Sequence, residues 1–555
     1  MKKAYGLLPA LCLLLSLTAC KPQEAVSQPA ETPVPEQENV LNSQDWREVV
    51  LSDQGITLDG QPAGEEGPVF VSHDIIYYED RDTYDSGHAY GEGESWEKHT
   101  AQEAAAHTVV NITQPGTYRL SGKLSQGQIR VDLGEEAFTD PQAVVCLVLA
   151  DVDITCTVAP AILFLNVYEC DNQWEENTPT WDVDTAGAGA NLLLEGENTV
   201  NGSHVARIYK DGGEEKKLWK QDGAIYSYMS MRVSGPGGLE LTADNEGMDT
   251  ELHLTVEGGN IRIFSGNDGI NTNEDGVSVT TINGGDLRIF AGLGEEGDGI
   301  DSNGWLVING GSVFASANPA ADAGLDSDMG SYINGGTVIA LGSAMDWAES
   351  DSGQAAMNLQ FAQRREAQSV LTVLNKAGET LLEYDPSDDV EGWNGQARAF
   401  QGAILSCEGF AVGETYRVQI NGTDQSYTGT DVQMRPGMGG GFGGMGGQRP
   451  QRPEGMENMT PPQGFTPGQP PEGMENMTPP QEFTPGQPPE GMENMTPPQE
   501  FTPGQPPEGM ENMTPSEGWG GMGRPEEDAD RSQANSLFYM QDKVNFFSGV
   551  ADKTE

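Results

Sequence analysis

Basic residues are scarce in this chain: 29 Lys+Arg stand against 86 Asp+Glu in 555 residues, giving a formal net charge of −57 and a pI near 4.1. The deficit is sharpest between 221 and 350, where 20 Asp+Glu face three Arg and no Lys. Nucleic-acid binding needs a basic footprint, so it is excluded. Direct capture of an anionic polymer is disfavoured too, unless cations bridge the two. The six cysteines contain no CxxC pair, so neither a zinc site nor a thioredoxin-like site is signalled. Of these, Cys146, Cys156, Cys170 and Cys407 lie beyond the N-terminal segment, and their pairing stays open between buried thiols and a disulfide. There is no GxSxG nucleophile elbow and no phosphate-binding loop. His73, His88, His99, His107, His204 and His253 form no metal-spaced cluster. Helical periodicity is weak throughout. Beyond the N-terminus no stretch is long and apolar enough to span a bilayer.

What is present is a short phrase, used four times: EGMDTE from Glu246, DGINTN from Asp268, DGIDSN from Asp298 and AGLDSD from Ala323. Its glycines, Gly247, Gly269, Gly299 and Gly324, are separated by 22, 30 and 25 residues. Gly-Gly turns and renewed alternation follow in VEGGNIRI, INGGDLRI, INGGSVFA and INGGTVIA. A period of this size with strand-like alternation predicts a solenoid, a parallel β-helix whose coils stack at about 4.8 Å. Alternation places Met248, Ile270, Ile300 and Leu325 in an inward column, with the small Thr250, Thr272, Ser302 and Ser327 beside them. The outward columns are then Asp249, Asn271, Asp301, Asp326 and Glu251, Asn273, Asn303, Asp328.

Two bare carboxylates at the coil spacing repel by roughly 3 kcal/mol at an effective dielectric near 20. Like charges directly opposed destabilise a sheet. A hard cation with oxygen ligands offsets both, and Ca²⁺ accepts Asp, Asn and backbone carbonyls in flexible geometry. The competing reading is a set of solvated turn residues with Asn–Asn stacking. Repetition favours calcium, because one Asp-Gly-Ile alone is only a turn.

The opening MKKAYGLLPALCLLLSLTAC has the basic, apolar and small-residue order of a secretory signal. LTAC resembles a bacterial lipobox, which implies cleavage before Cys20 and lipidation of that thiol, hence an extracytoplasmic protein anchored to the membrane at the cell surface. Residues 21–40 read as a disordered Pro/Glu/Gln tether. Residues 41–107 form a β region with a polar, aromatic insert near 73–107. His99 and His107 flank AQEAAA, which reads as a short helix. Regular alternation runs over 108–368. It includes VVCLVLADVDITCTVAPAILFLNV (144–167), with the composition of buried parallel strands. About seven coils result.

From 369 to 434 the pattern becomes that of antiparallel hairpins, the β cap a solenoid end requires. Residues 435–531 carry an 18-residue Pro/Gly/Met repeat beginning at Glu454, Glu472, Glu490 and Glu508, which cannot bury a core. It reads as a spacer. The apolar peptide 532–555 either docks back as an added strand or binds a protein partner.

Taken together, the lipobox, GTYRLSGKLSQGQIRVDL, ADVDITCTVAPAI and the DGINT/INGG ladder give a resemblance that covers about 108–430. The chain resembles the secreted clostridial-type carbohydrate-binding domain-containing β-helix proteins, which look like non-catalytic relatives of calcium-dependent pectate lyases. The resemblance implies an all-β, right-handed parallel β-helix, bound Ca²⁺, and a plant cell-wall polysaccharide such as cellulose or pectin as partner. It carries over as calcium ligands Glu246, Asp249, Glu251, Asp268, Asn271, Asn273, Asp298, Asp301, Asn303, Asp326 and Asp328. Aromatic platforms hold neutral sugars, and Trp305, Tyr332, Trp347 and Trp393 are the candidates, each open also to a packing role. A polysaccharide lyase is the enzymatic alternative. It would need a Lys or Arg base, and Arg262 and Arg288 occupy equivalent IRIF and LRIF positions. A structural adhesin is the third reading.

Overall fold

The computed structural model describes residues 46–78, 97–206, 221–294, 296–343, 346–387, 397–430 and 535–553. The signal segment with Cys20, the tether, the middle of the insert, Trp393 and the 435–531 repeats lie outside the described residues.

The described chain is almost entirely β, with one capped helix at Ala101–Ala105 and a 3-10 turn at Glu135–Thr139. Thr100 starts the helix through a capping box with Glu103. The flanking His107 is buried and receives the Thr157 backbone N–H on Nε2 at 3.2 Å.

Within the expected coils three strands recur in order, and each pairs in parallel with its counterpart one circuit later. The first ladder runs Thr108–Ile112, Gly127–Asp132, Ile162–Asn166, Gly223–Ser227, Glu246–Thr250, Ile270–Thr272, Ile300–Ser302, Leu325–Ser327. Val69–Ser72 closes its free edge by antiparallel pairing, making a nine-stranded sheet. The second ladder runs from Arg47–Leu51 through Gly116–Leu124 to Val145–Thr155 and continues through Ala190–Glu195, Met231–Ser234, Leu254–Val256, Val279–Ile282, Trp305–Ile308 and Gly330–Ile333. The third starts from the end of Val145–Thr155 and passes through Glu197–Gly202, Gly238–Ala243, Asn260–Ser265, Asp286–Phe290, Ser312–Ser316 and Thr337–Gly342. The second and third ladders belong to one mixed 25-stranded sheet that also takes in the antiparallel C-terminal strands.

The periodicity accounts for the stacking. Met248, Ile270, Ile300 and Leu325 pair in one register and are each 0% exposed. Beside them, the Thr272 and Ser302 hydroxyls lie 2.9 Å apart, so the small inward polar groups satisfy one another. The INGG turns contribute a second ladder of contacts. Asn309 donates its amide to Asn283 Oδ1 and Asn334 donates to Asn309 Oδ1, both at 2.9 Å. After each of these asparagines the backbone must turn left-handed. Gly311 has φ +80, and a Cβ there would meet Gly285 O at 2.7 Å.

The end of the stack is covered. Phe400–Ser406 pairs antiparallel with Thr337–Gly342 and with Ala356–Arg365. Hairpins at Leu371–Leu374, Thr380–Tyr384, Thr415–Ile420 and Thr423–Ser426 pack behind them. The C-terminal peptide docks here: Val544–Asp552 pairs in parallel with Ala356–Arg365 and antiparallel with Thr423–Ser426. Phe538, Met540, Phe547 and Val550 are at most 1% exposed, in one cluster with Phe264 and Phe290 of the third ladder. Of the two roles open for this peptide, the chain's own fold takes the first, while Leu537 and Tyr539 of the same peptide remain exposed. All four cysteines in the described region are free thiols; burial pushes Cys146 up to about 12.

Candidate acidic site on the first ladder

Three of the four phrases enter their strands through an Asp-Gly or Glu-Gly corner, and the fourth through Ala323-Gly324, where the chain turns from the third ladder into the first. At the corner glycine a side chain would collide with the next circuit: a Cβ on Gly269 would lie 2.5 Å from Gly299 O. The acid before it is therefore held against the neighbouring backbone. Asp268 Oδ1 accepts the Asp298 N–H at 2.7 Å, and Asp298 Oδ1 accepts the Ala323 N–H at 2.5 Å. Glu246, Asp268 and Asp298 thus form a third acidic column beside the two read from alternation.

The register places Asp249, Asn271, Asp301 and Asp326 in one column. Glu251, Asn273, Asn303 and Asp328 follow in the next, since their N–H groups bond to Ser227, Thr250, Thr272 and Ser302 carbonyls in turn. Burial departs from expectation. Asp249 is 0% and Asn271 5% exposed, so this part of the column is not a solvated outer surface. Side chains from neighbouring circuits close it: buried Tyr226 donates its hydroxyl to Glu251, and Asn273 donates to Asp249. Asp301 and Asp326 are half-buried and Asp328 is exposed.

Burial shifts several of these acids upward. Burial, then Glu246, Asp301 and Asp298, raises Asp268 well above the carboxylate range. Burial and then Asp326 push Asp298 up to about 8. Burial raises Asp326 and Asp328 as well, and lifts Asp346, whose Oδ2 accepts from Ser327 Oγ at 2.8 Å, to about 7. Among the described residues, the charged groups that raise these five are themselves acids. Buried like charges of this kind are costly unless something neutralises them.

At the N-terminal end of the columns, Asp222, Glu246 and Asp249 bring carboxylate oxygens within 4.8 Å of one another. At that distance and an effective dielectric near 20, each ionised pair repels by roughly 3 kcal/mol. Glu246 Oε2 and, one circuit on, Asn271 Oδ1 are buried and accept no hydrogen bond. Lone pairs left unused in this way are what an oxygen-coordinated cation would take up, and the all-oxygen donor set suits Ca²⁺ over softer metals. Asp222 was not among the expected ligands. Its signal was partly legible, because DGAIYS at 222–227 carries an Asp-Gly pair and the apolar and small positions of the phrase with one residue inserted, so that Gly223 is the register partner of Glu246.

The basic residues Arg232, Arg262 and Arg288 stand on the second and third ladders. Arg262 and Arg288 are register partners on the third ladder, away from the first-ladder acids. Arg288 Nε is 3.8 Å from Asp286, and Arg232 donates to Glu257 at 2.8 Å. Of the aromatic candidates, Trp305 is 8% exposed and packs with Val279 and Val307. Trp347 meets Phe546 of the docked C-terminal strand edge-on at 4.9 Å. Tyr332 stacks on Trp181, with ring centroids 5.5 Å apart.

Residues 106–375 match a family model described as carbohydrate-binding domain-containing protein. A protein of that description from Acetivibrio thermocellus is 30% identical over 155 residues, 28% of this chain. The match spans 44% of that relative's length, so the chain aligns with less than half of it. A solved structure titled a polysaccharide lyase-like protein from C. thermocellum, gadolinium derivative, is 20% identical. It covers 52% of this chain and 92% of its own, at a TM-score of 0.30, too low for the likeness to carry weight.

Proposed function

We propose that the chain is a calcium-stabilised polysaccharide-binding protein built on a right-handed parallel β-helix and displayed at the bacterial surface. The parallel three-strand circuits support the helix, and parallel crossovers are right-handed in nearly all proteins. The match of residues 106–375 supports a carbohydrate ligand. The LTAC ending supports lipidation at Cys20 and membrane attachment. Plant-type polymers, cellulose or pectin, are the proposed ligands.

One observation carries the calcium reading: the Asp222, Glu246 and Asp249 cluster, with Glu246 Oε2 and Asn271 Oδ1 buried and lacking hydrogen bonds. These residues would hold one ion. Asp268, Asp298, Asp301 and Asp326, with Asp328 at the rim, would hold further charge along the same columns. Bound Ca²⁺ would supply positive charge that relieves the repulsion and, at the exposed end, can bridge carboxylates of a pectin-like polymer. Binding is favoured over lyase chemistry because the equivalent pair Arg262 and Arg288 stands on a different ladder from the acids. Ultraviolet-absorbing unsaturated product, lost in Arg288→Ala, would reverse that preference.

The test is thermal unfolding of the full chain, first chelated and then titrated with CaCl₂, followed by retention on cellulose and on polygalacturonate. A saturable rise in Tm that Asp249→Asn abolishes is expected. No rise removes calcium, and no retention on any plant polysaccharide removes the carbohydrate reading.

A further inference from the structure

The segment after the third circuit's first-ladder strand does not follow the solenoid pattern. Residues 170–185 leave the stack and cross the outer side of the second ladder as a strap. Both ends are fixed. Before the strap, fully buried Glu169 accepts the Ser230 N–H at 2.6 Å and the Ser230 hydroxyl at 2.8 Å. At its far end Thr185 donates to Thr255 Oγ1 at 2.7 Å, and Val183 packs against Val279, Trp305 and Val307. A strap pinned this way is preorganised, so ligand binding need not order it.

Between strap and ladder lies a cavity of about 340 Å³, at the small end of the range for ligand sites. Trp174 and the strap residues Thr180, Asp182 and Asp184 form its wall, and His253 and Asp171 contribute from below. His253 is 0% exposed, and its Nδ1 accepts the Val279 N–H at 3.1 Å. The proton of the neutral ring is thereby assigned to Nε2, which faces Asp171 Oδ2 at 3.4 Å. Directly beside the cavity wall, between Thr180 and Asp182, Trp181 is 46% exposed. Its ring lies nearly parallel to Tyr332, at 11°. The strap thus sets an exposed indole on an aromatic base, next to a polar cavity.

We infer that this strap cleft binds neutral sugar units of a polysaccharide, with Trp181 as stacking platform. The inference rests on the polysaccharide reading above and adds the place and the ligand class. A pyranose presents an apolar C–H face and a rim of hydroxyls. An exposed aromatic surface takes the first, and carboxylates accept strong charge-assisted hydrogen bonds from the second. Among the described residues no Lys or Arg lines the cavity, while Asp171, Asp182 and Asp184 do. A uronate would therefore meet three like charges, whereas a neutral hexose meets three acceptors. Calcium-bridged acidic polymer and neutral glycan would then be held at different places, on the first ladder and on the strap.

The experiment is calorimetric titration of the full chain in calcium-containing buffer with cellohexaose, and separately with hexagalacturonate. Trp181→Ala and Asp182→Asn are compared with wild type, and the calcium-dependent Tm of each is recorded. Cellohexaose affinity should fall at least about tenfold in Trp181→Ala, the size expected of an aromatic anchor. It should fall less in Asp182→Asn, with hexagalacturonate binding and the calcium response of both unchanged. Wild-type affinity for cellohexaose in both variants would place the glycan elsewhere and overturn the inference while the polysaccharide reading stands. Binding of hexagalacturonate alone would overturn the ligand class. Binding of neither oligosaccharide, together with no retention on polymer, would sink the polysaccharide reading itself.

Discussion

Protons and calcium should compete for the first-ladder acids, and Asp298 shows how strongly. Its carboxyl is held up to about 8 against an ordinary 3.8, with burial the leading cause and Asp326 next. At low pH both folded and unfolded chains carry the proton. Between about pH 4 and pH 8 the folded protein keeps a proton that the unfolded chain has released, so stability falls as pH rises through that window. Each unit is worth about 1.4 kcal/mol, which sets a ceiling of about 6 kcal/mol; partial exposure and coupling to Asp326 bring the expected loss to about 2–3 kcal/mol. Asp346, lifted to about 7, adds in the same direction. Chelated protein should therefore lose Tm steadily from pH 5 to about pH 8. Saturating CaCl₂ should flatten that slope, since the ion takes the place of the protons and releases them on binding. Asp298→Asn keeps an acceptor for the Ala323 N–H while removing the titrating charge. It should raise Tm in chelator at pH 8 and lower it, relative to wild type, in calcium. Circular dichroism melts in both buffers give the answer. A chelated wild-type Tm independent of pH, with Asp298→Asn unresponsive to calcium in the same way as wild type, would refute the reasoning.

Two further outcomes follow from the packing. Phe547→Ala empties a site 1% exposed between Phe538 and Tyr427 and should cost about 3–5 kcal/mol, read as a lowered urea midpoint with new dye-binding apolar surface. An undisturbed midpoint would mean the C-terminal strand is not part of the folded unit. Asn309→Ala breaks two rungs of the amide ladder, to Asn283 and from Asn334, and should cost about 1–3 kcal/mol in the same assay, with no change in calcium response.

Much of this protein is one-dimensional. A period near 25 residues, with alternation inside it, determined that the chain would be β, that Met248, Ile270, Ile300 and Leu325 would stack, and that Asp249, Asn271, Asp301 and Asp326 would share a column. Those facts depend only on each circuit lying on the one before, and a repeating sequence encodes neighbour relations directly. Even Asp222 was within reach, in a less regular copy of the phrase. The asparagine of INGG is visible in the sequence also, but its amide ladder is not, because a turn asparagine looks alike whether it meets water or its counterpart.

Periodicity is silent on what lies over each face, and there the tertiary structure decided. Alternation assigns a residue to the outside of its own circuit; whether that outside is wet depends on chain arriving from elsewhere. Asp249 is dry although its position alternates outward. Trp305 is packed, while Trp181, in an aperiodic strap, stays exposed against Tyr332, far along the sequence. The C-terminal peptide, readable equally as an added strand or a partner-binding tail, found its place against phenylalanines of the third ladder. These pairings join segments with no common period, and only the surplus of buried apolar area over chain entropy in the folded whole selects them.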